Sequence, residues 1–591
     1  MTINHQLSEE AFVALAHGDG DPEVIRQLRE AQRSKHLMLV RIVAQAAEAA
    51  DQASLAAAAF QAGYQLLTAV QAADPDSLAW LLGLPHVGAW GHDCLARLDQ
   101  GLVPDFGYLA GAAASAAVRA GVGFSLDLPV RDGRVLLPGL GYFHGIDAGS
   151  WVRATSDGKR VSVGPFAAAL CADICPDDGS GGAVPHWRGS PLIRAVAGGR
   201  AWEVLLETAD PHLDCYTLPM VADLNEAGTA AWREQIQRAW RLLTEHHGWA
   251  SGPIAEGTPV IVPMTARGDT DLDSATAPAA FGAIATCLPS DPVILAEILV
   301  HEFQHLKLGA LLDLVRLAEH SDERVYAPWR SDPRPPAGLL QGVYAHLGIA
   351  RFWEAQRHVE AEPADAFLAE LMYERWRPTI ELCAGTLMTT GSLTPEGERF
   401  VGMLRDRGRS LDPPAASSPA REIVEDVALD HWLTWQLRHT AADARQVAEL
   451  AAAYQRGEPP GHRSLPEARV ENDTRQVGST VRSRLLNMRY LEPHRHQEPR
   501  AASMPGISDA DALLFDRQAE AAVTAYLEEI SAASSPAPEA WIGLALAVRK
   551  LEPTPPRETF RARLPLIFDM HAHLSDLGIK SDPLEIAGWC A

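Results

Sequence analysis

The sequence predicts an α+β chain that is predominantly helical, with a β-rich middle region leading into a helical region that carries metal-ligand chemistry. Three observations predict this. Apolar residues recur at helical spacing over the first ~120 residues and again after ~410. Between ~121 and ~220 they change to short runs broken by glycine-bearing turns. Near residue 300, two histidines four apart fall within a strongly apolar helical pattern. The regions so defined are 1–120 (helical), 121–228 (β-rich), 229–410 (metal-binding) and 411–591 (helical).

Taken in order, Ser8 can cap a helix that has Glu9 and Glu10 in its first turn, where carboxylates meet the positive end of the dipole. Asp21-Pro22 opens a second helix, with Ile25, Leu28, Leu37, Leu39, Val40 and Val43 as its apolar positions. Alanine is dense up to Ala120. Phe124–Leu128 alternates, Arg131-Asp132-Gly133 turns and Val135-Leu136-Leu137 follows, which reads as a hairpin. Arg160–Val163, Leu192–Ala197 and Trp202–Leu206 are further strands, the last two joined by Gly198-Gly199, and Pro176–Pro191 is a loop. A helix over Ala230–His247 has Thr229 as its cap and one stripe of Trp232, Ile236, Trp240 and Leu243. Two apolar strands, Pro259–Met264 and Phe281–Leu288, precede the histidine helix, which Ser290 caps and whose apolar pattern persists to about Leu317. After ~410 the helices are separated by proline-rich linkers at Pro413–Pro419, Pro459-Pro460, Pro493–Pro505 and Pro536–Pro538.

Composition narrows the function. The 591 residues are 47% hydrophobic and 21% charged, a globular balance. A net charge of -25 argues against nucleic acid or an anionic membrane as a general partner, while leaving room for a local basic groove that takes an acidic peptide. Seven cysteines make no disulfide framework. Cys171 and Cys175 are spaced like half a zinc site with Cys215 further on, but no second close pair follows, and small buried hydrophobes are the simpler reading. The N-terminus lacks a basic segment followed by an apolar run, and Ala53–Ala73 is interrupted by Gln61 and Gln65. A cytoplasmic protein without a membrane segment is expected.

The chemistry concentrates in His301-Glu302-Phe303-Gln304-His305. Histidines four apart lie on one helix face, about 6 Å apart at the backbone, so both rings can reach one ion at ~2.0–2.1 Å. Glu302 is rotated about 100° from His301 and flanks that ion. This is the H-E-x-x-H pattern, and it predicts a zincin-like helical metal domain. The surrounding apolar residues make two histidines and a glutamate costly to bury unless they are paired or metal-bound. A third ligand is expected from Glu319, His320, Glu323, Asp332, His346, Glu354, His358 or Glu360. His346 stands out because its helix is apolar and the small Gly342 and Ala350 share its face, which would let this helix approach the motif helix. A core histidine is the alternative. Glu354 and Glu319 are the carboxylate alternatives that a peptidase would favour. Between the two helices, Tyr326–Pro336 is rigid and aromatic, with Arg330 and Arg334 able to clasp a carboxylate bidentately. A plain proline-stiffened connector is the other reading.

At Ser34–Arg41, Leu205–Asp214, Asp291–Leu312 and Tyr326–Trp353 the chain resembles the HExxH-type 2-oxoglutarate-dependent peptide β-hydroxylases, also grouped as HExxH-containing peptide-modification proteins of ribosomal peptide pathways. The resemblance spans most of residues 8–360, and Tyr326–Trp353 is its more specific part. It implies Fe(II) in place of zinc, 2-oxoglutarate and O2 as cosubstrates, and a precursor peptide hydroxylated at a β-carbon. With His346 as third ligand the metal site is all-histidine, a departure from the usual two-histidine-one-carboxylate set. One of Arg330 or Arg334 would take the distal carboxylate, with Trp329 stacking on Arg330, and Glu302 would orient the site. A zinc peptidase with Glu302 as general base, and strand Phe281–Thr286 pairing with substrate backbone, is the second reading. A non-catalytic peptide-binding protein is the third.

Overall fold

Capping side chains set the first helices. Ser8 Oγ accepts from the Ala11 amide at 3.1 Å and Asp21 Oδ1 from the Val24 amide at 2.9 Å. These caps open α1 (Glu9–Ala16) and α2 (Pro22–Ala49) in the computed structural model. Ile25, Leu28, Leu39, Val40 and Val43 of α2 are buried, whereas Leu37 is exposed. The alanine-dense stretch follows as α3 (Leu55–Ala73), α4 (Pro75–Leu82), α5 (Pro85–Asp99) and α6 (Tyr108–Ala120). Helices α3 and α6 pack closely because Gly63 has no side chain: a Cβ there would lie 2.9 Å from Ala110 Cα.

The structure describes residues 5–50, 54–147, 149–169, 185–216, 219–222, 224–266, 273–413, 418–460, 465, 469–470, 482, 506–532 and 538–591. It is a mixed α+β chain, dominated by helix, with several small sheets. Cys171 and Cys175, most of the Pro176–Pro191 loop and the Pro493–Pro505 linker lie outside the described residues. Among the described residues no helix is long and apolar enough to cross a membrane. The chain divides into two compact units, Met1–Leu317 and Ala318–Ala591. The expected metal-binding region, 229–410, therefore falls partly in each.

In the first unit the β region contributes β1 (Phe124–Pro129), β2 (Arg134–Leu137), β3 (Gly141–His144), β4 (Trp151–Ser156), β5 (Arg160–Val163), β6 (Phe166–Ala169), β7 (Trp187–Gly189), β8 (Leu192–Ala197) and β9 (Arg200–Leu206). The Phe124–Leu128 and Val135–Leu137 runs are strands, but they do not form a hairpin with each other. β1 pairs with β4, and β2 pairs with β3. The Asp132-Gly133 turn is real, both residues having positive φ, yet only the Arg131–Arg134 bridge closes it. Pro129 ends β1 without an amide hydrogen, so the ladder cannot run into the turn. Gly198-Gly199 does form its hairpin, with φ of 55° and 73° and Ala197 opposite Arg200.

The stripe helix is α7 (Glu226–His246), with Trp232, Ile236, Trp240 and Leu243 all buried. Its cap is Asn225, which accepts from the Gly228 amide at 2.7 Å, rather than Thr229, which lies inside the first turn. After α8 (Gly248–Gly257) come β10 (Val260–Pro263), β11 (Ser274–Ala275), β12 (Ala283–Thr286) and the motif helix α9 (Pro292–Leu312). The sheet order is β11-β12-β10-β9-β8, parallel across β9, β10 and β12 with antiparallel edges. Asp291, not Ser290, caps α9, because Pro292 fixes the first helical position and its predecessor becomes the cap. The helix stops at Leu312, and buried Leu317 lies beyond it.

The second unit is built from helices, chiefly α10 (Pro336–Gln356), α11 (Pro363–Thr389), α12 (Pro395–Arg409), α13 (Pro419–His439) and α14 (Ala444–Gln455), followed by shorter ones that include Pro538–Arg549, Pro555–Ala562 and Leu564–Asp576. Trp541, Tyr526, Phe560 and Met570 belong to a core of this unit.

Candidate metal centre

Helix α9 is fixed on several sides within the first unit. Lys307 is buried and donates Nζ to the carbonyls of Gly18 and Asp19, at 2.8 and 2.9 Å, where α1 has ended. Gln304 donates to the same Gly18 carbonyl at 3.2 Å. At its far end, Gln32 and Lys35 of α2 hold Asp313 at 2.8 and 2.9 Å. Phe303 fits against Gly257, where a Cβ would approach the ring to 2.5 Å. These contacts leave α9 little freedom to turn about its axis.

Burial along α9 then marks one face. From Leu299 to Leu308 only His301 and His305 are partly exposed, while every neighbour is buried. Their Nε2 atoms converge to 3.2 Å with the rings nearly perpendicular. With bonds of ~2.1 Å to one ion, that separation corresponds to an N–metal–N angle of about 100°, between octahedral and tetrahedral values. The pair therefore fits a divalent cation. The same separation also fits one N–H···N hydrogen bond between the rings, so metal content is the deciding observable.

Glu302 is 3% exposed, and its Oε1 lies 3.9 Å from His301 Nε2. Ser274 Oγ on edge strand β11 donates to that oxygen at 2.7 Å. Burial pushes the Glu302 carboxyl above its ordinary value, against the pull of His305 and of hydrogen bonds from Ser274 and Thr276. Neither Ser274 nor Thr276 was visible as a site residue in the sequence, because a two-residue strand has no periodicity to read.

The remaining site candidates belong to the second unit. His346 is buried and donates Nδ1–H to the Gly342 carbonyl at 2.8 Å. Trp329 stacks on the His346 ring at 4.1 Å, and Trp376 flanks it at 4.6 Å. Two expectations are corrected here. Gly342 makes room for Trp329, whose Cζ2 would lie 2.2 Å from an added Cβ, so its small size serves the indole rather than a neighbouring helix. Trp329 stacks on His346 rather than on Arg330.

Arg330 Nε and Arg334 Nη1 both donate to Asp332, at 2.8 and 3.2 Å. Burial alone would raise Asp332, but the two arginines outweigh it and hold the carboxyl below its ordinary value. Paired main-chain bonds between Val325 and Arg334 close this loop. Glu354 accepts from the Asp412 amide at 2.7 Å, which engages the carboxylate alternative in a structural bond, and the Glu319 amide donates to the Ser392 carbonyl at 2.8 Å. Among the described residues no group of three or more His, Cys, Asp or Glu stands together as a metal site.

Strand β12 is also reassigned. Phe281–Thr286 was expected to pair with substrate backbone in a peptidase, but β12 is hydrogen-bonded on both sides, to β10 and β11. The edge belongs to β11.

The stretch Leu205–Asp214 supplies a second polar cluster in the first unit. Buried His86 meets Glu207 at 2.9 Å, Glu207 also accepts the Ala209 and Asp210 amides, and Tyr108 donates to Asp210 at 2.6 Å. His36, in the Ser34–Arg41 stretch, donates Nδ1–H to the Leu82 carbonyl at 2.8 Å, and its ring lies against Gly88.

Compared with known proteins, the chain matches no family model and no curated protein.

Proposed function

We propose that the chain is an Fe(II)- and 2-oxoglutarate-dependent hydroxylase that places a hydroxyl on a β-carbon of a ribosomally made precursor peptide. The observation that carries the metal assignment is the convergence of His301 and His305 Nε2 to 3.2 Å beside a buried Glu302. The cosubstrate assignment rests on the resemblance. When bound, iron(II) with 2-oxoglutarate and O2 supplies the oxidising equivalents for C–H to C–OH conversion, with succinate and CO2 as coproducts.

This chain's residues have defined tasks in that reading. His301 and His305 hold the ion, neutral and with Nε2 inward. His346, with Nδ1 committed to a backbone carbonyl, is the proposed third ligand. Arg330 or Arg334 is proposed for the distal carboxylate of 2-oxoglutarate, in competition with Asp332. Glu302, restrained by Ser274, orients groups around the ion rather than moving a proton. We read α9 with the β10–β12 sheet and its antiparallel edge as zincin-like, which leaves β11 as the strand beside the site.

A zinc peptidase is the second reading, favoured by the 3.9 Å between Glu302 Oε1 and His301 Nε2, within range for a carboxylate to act on metal-bound water. One assay separates them. Anaerobically purified protein loaded with Fe(II) should, once O2 is admitted, turn 2-oxoglutarate into succinate and CO2 and add one oxygen atom to the peptide. Peptide cleavage without 2-oxoglutarate would establish the peptidase instead.

A further inference from the structure

The second unit contains a groove of about 1360 Å³ between the 323–328 loop, α11, α13 and the helices Pro555–Ala562 and Leu564–Asp576. Small-molecule sites usually run to ~300–1,000 Å³, so this space suits a longer ligand. Six arginines line it against three glutamates, in a chain whose net charge is -25. Part of that charge is spent internally: Arg549 is paired with Glu425 and Asp426, and Arg421 lies 3.6 Å from Glu374. Arg324, Arg561 and Arg563 also line the groove and have no carboxylate partner among the described residues. Among the described residues Arg324 donates to the backbone carbonyls of its own turn.

Two further groups point to what the groove receives. Trp435 is 3% exposed and its Nε1–H is buried with no acceptor among the described residues, and Arg561 Nε is buried in the same state. Both are donors, so the missing partner is an acceptor. Beside them Trp432 stacks on Trp435 at 5.6 Å, and Tyr326 meets both rings edge-on. Apolar rings and unsatisfied donors thus belong to the lining of one groove.

We infer that this groove binds an extended acidic segment of a peptide, with carboxylates on Arg324, Arg561 and Arg563, backbone carbonyls on Trp435 Nε1 and Arg561 Nε, and apolar side chains against Trp432 and Tyr326. The inference rests on the reading that the chain acts on a peptide, and it names the part of that peptide held away from the reacting carbon. A nucleic-acid strand fits less well, because Glu323, Glu374 and Glu425 interrupt the positive lining and would face its continuous phosphates.

The test is fluorescence anisotropy on the full chain with a labelled twelve-residue peptide alternating Glu and Leu. A matched Lys-Leu peptide and a labelled twelve-nucleotide DNA strand serve as comparisons, all with chelator present. The Glu-Leu probe should bind, more weakly as salt rises, and the Lys-Leu probe should not. Arg561→Glu, Arg563→Glu and Arg324→Glu should each weaken binding by roughly tenfold or more, and Trp435→Phe, which keeps the ring and removes the donor, by several-fold. Arg324 stands on a loop, so its variant keeps the test valid if changes on the Pro555–Ala562 helix impair folding. Equal binding of both peptides, tighter binding of DNA, or unchanged affinity in the arginine variants would overturn the inference. Because the probe binds without metal, binding with no hydroxylation would sink only the hydroxylase reading. Hydroxylation indifferent to these arginines would sink only the groove.

Discussion

Replacing Gly342 with alanine tests whether Trp329 and His346 form one packed unit. An added Cβ would lie 2.2 Å from Trp329 Cζ2, 2.5 Å from Cε2 and 2.6 Å from Nε1. Ordinary contact needs about 3.5–4.0 Å, so the indole must retreat by more than ~1 Å. It cannot do so in its plane without leaving the His346 ring, on which it stacks at 4.1 Å. Overpacking of this kind costs about 1–3 kcal/mol, and loss of the ring stack about 0.5–1.5 kcal/mol. Alanine returns about 0.5–1 kcal/mol because glycine is a poor helix former. The net expectation is a destabilisation of about 0.5–4 kcal/mol for Gly342→Ala. Urea unfolding followed by tryptophan fluorescence reads it, with near-UV dichroism reporting the displaced indole. Wild-type stability with unchanged near-UV signal would refute the packing described for Trp329.

Three further outcomes follow from the same structure. Gly309→Ala in α9, where an added Cβ meets nothing within 4 Å, should stabilise by about 0.5–1 kcal/mol in thermal unfolding, and a lower Tm would contradict the open space there. Lys307→Met removes the donor to the Gly18 and Asp19 carbonyls and should cost about 1–3 kcal/mol, with faster amide exchange in α1; unaltered exchange would mean that α9 does not anchor that helix. Glu207→Gln should destabilise most between about pH 4.5 and 6.5. Against an opposing effect of burial, the Glu207 hydrogen bond and nearby carboxylates raise His86 above its ordinary 6.5, so its contribution is complete below that pH and fades as pH rises through the folded value. Burial likewise opposes the shift of Glu207, but His86 holds it below its ordinary 4.5, so its contribution is complete above that pH and fades as pH falls through the folded value. A pH-independent difference from wild type would exclude the ion pair.

What was legible in the sequence was mostly local. The i, i+4 spacing of His301 and His305 fixes a shared face before any tertiary contact forms, and the Trp232–Leu243 stripe does the same for α7. Caps were legible to within a few residues; Asn225 and Asp291 replace the expected Thr229 and Ser290. Pairings across the chain were not legible. β1 joins β4 because Pro129 blocks the nearer hairpin, and β4 is set apart in sequence from the run it joins. Gly342 was read as a helix-approach residue because nothing in the sequence shows that the Trp329 loop folds back over it. Asp332 sits between its two arginine partners in sequence, and that short-range pairing could have been anticipated. Ser274 left no trace, since its role depends on the sheet edge reaching Glu302.

The most direct test of the account is the iron content of anaerobically reconstituted protein, measured by elemental analysis on wild type, His301→Ala and His305→Ala, with circular dichroism to verify folding. The account predicts about one Fe(II) per wild-type chain and near-complete loss in both variants, which keep the wild-type helical signal, because each removes one of only two convergent ring nitrogens on α9. Full metal content in both folded variants would contradict it and reduce the His301–His305 contact to a hydrogen bond between two rings.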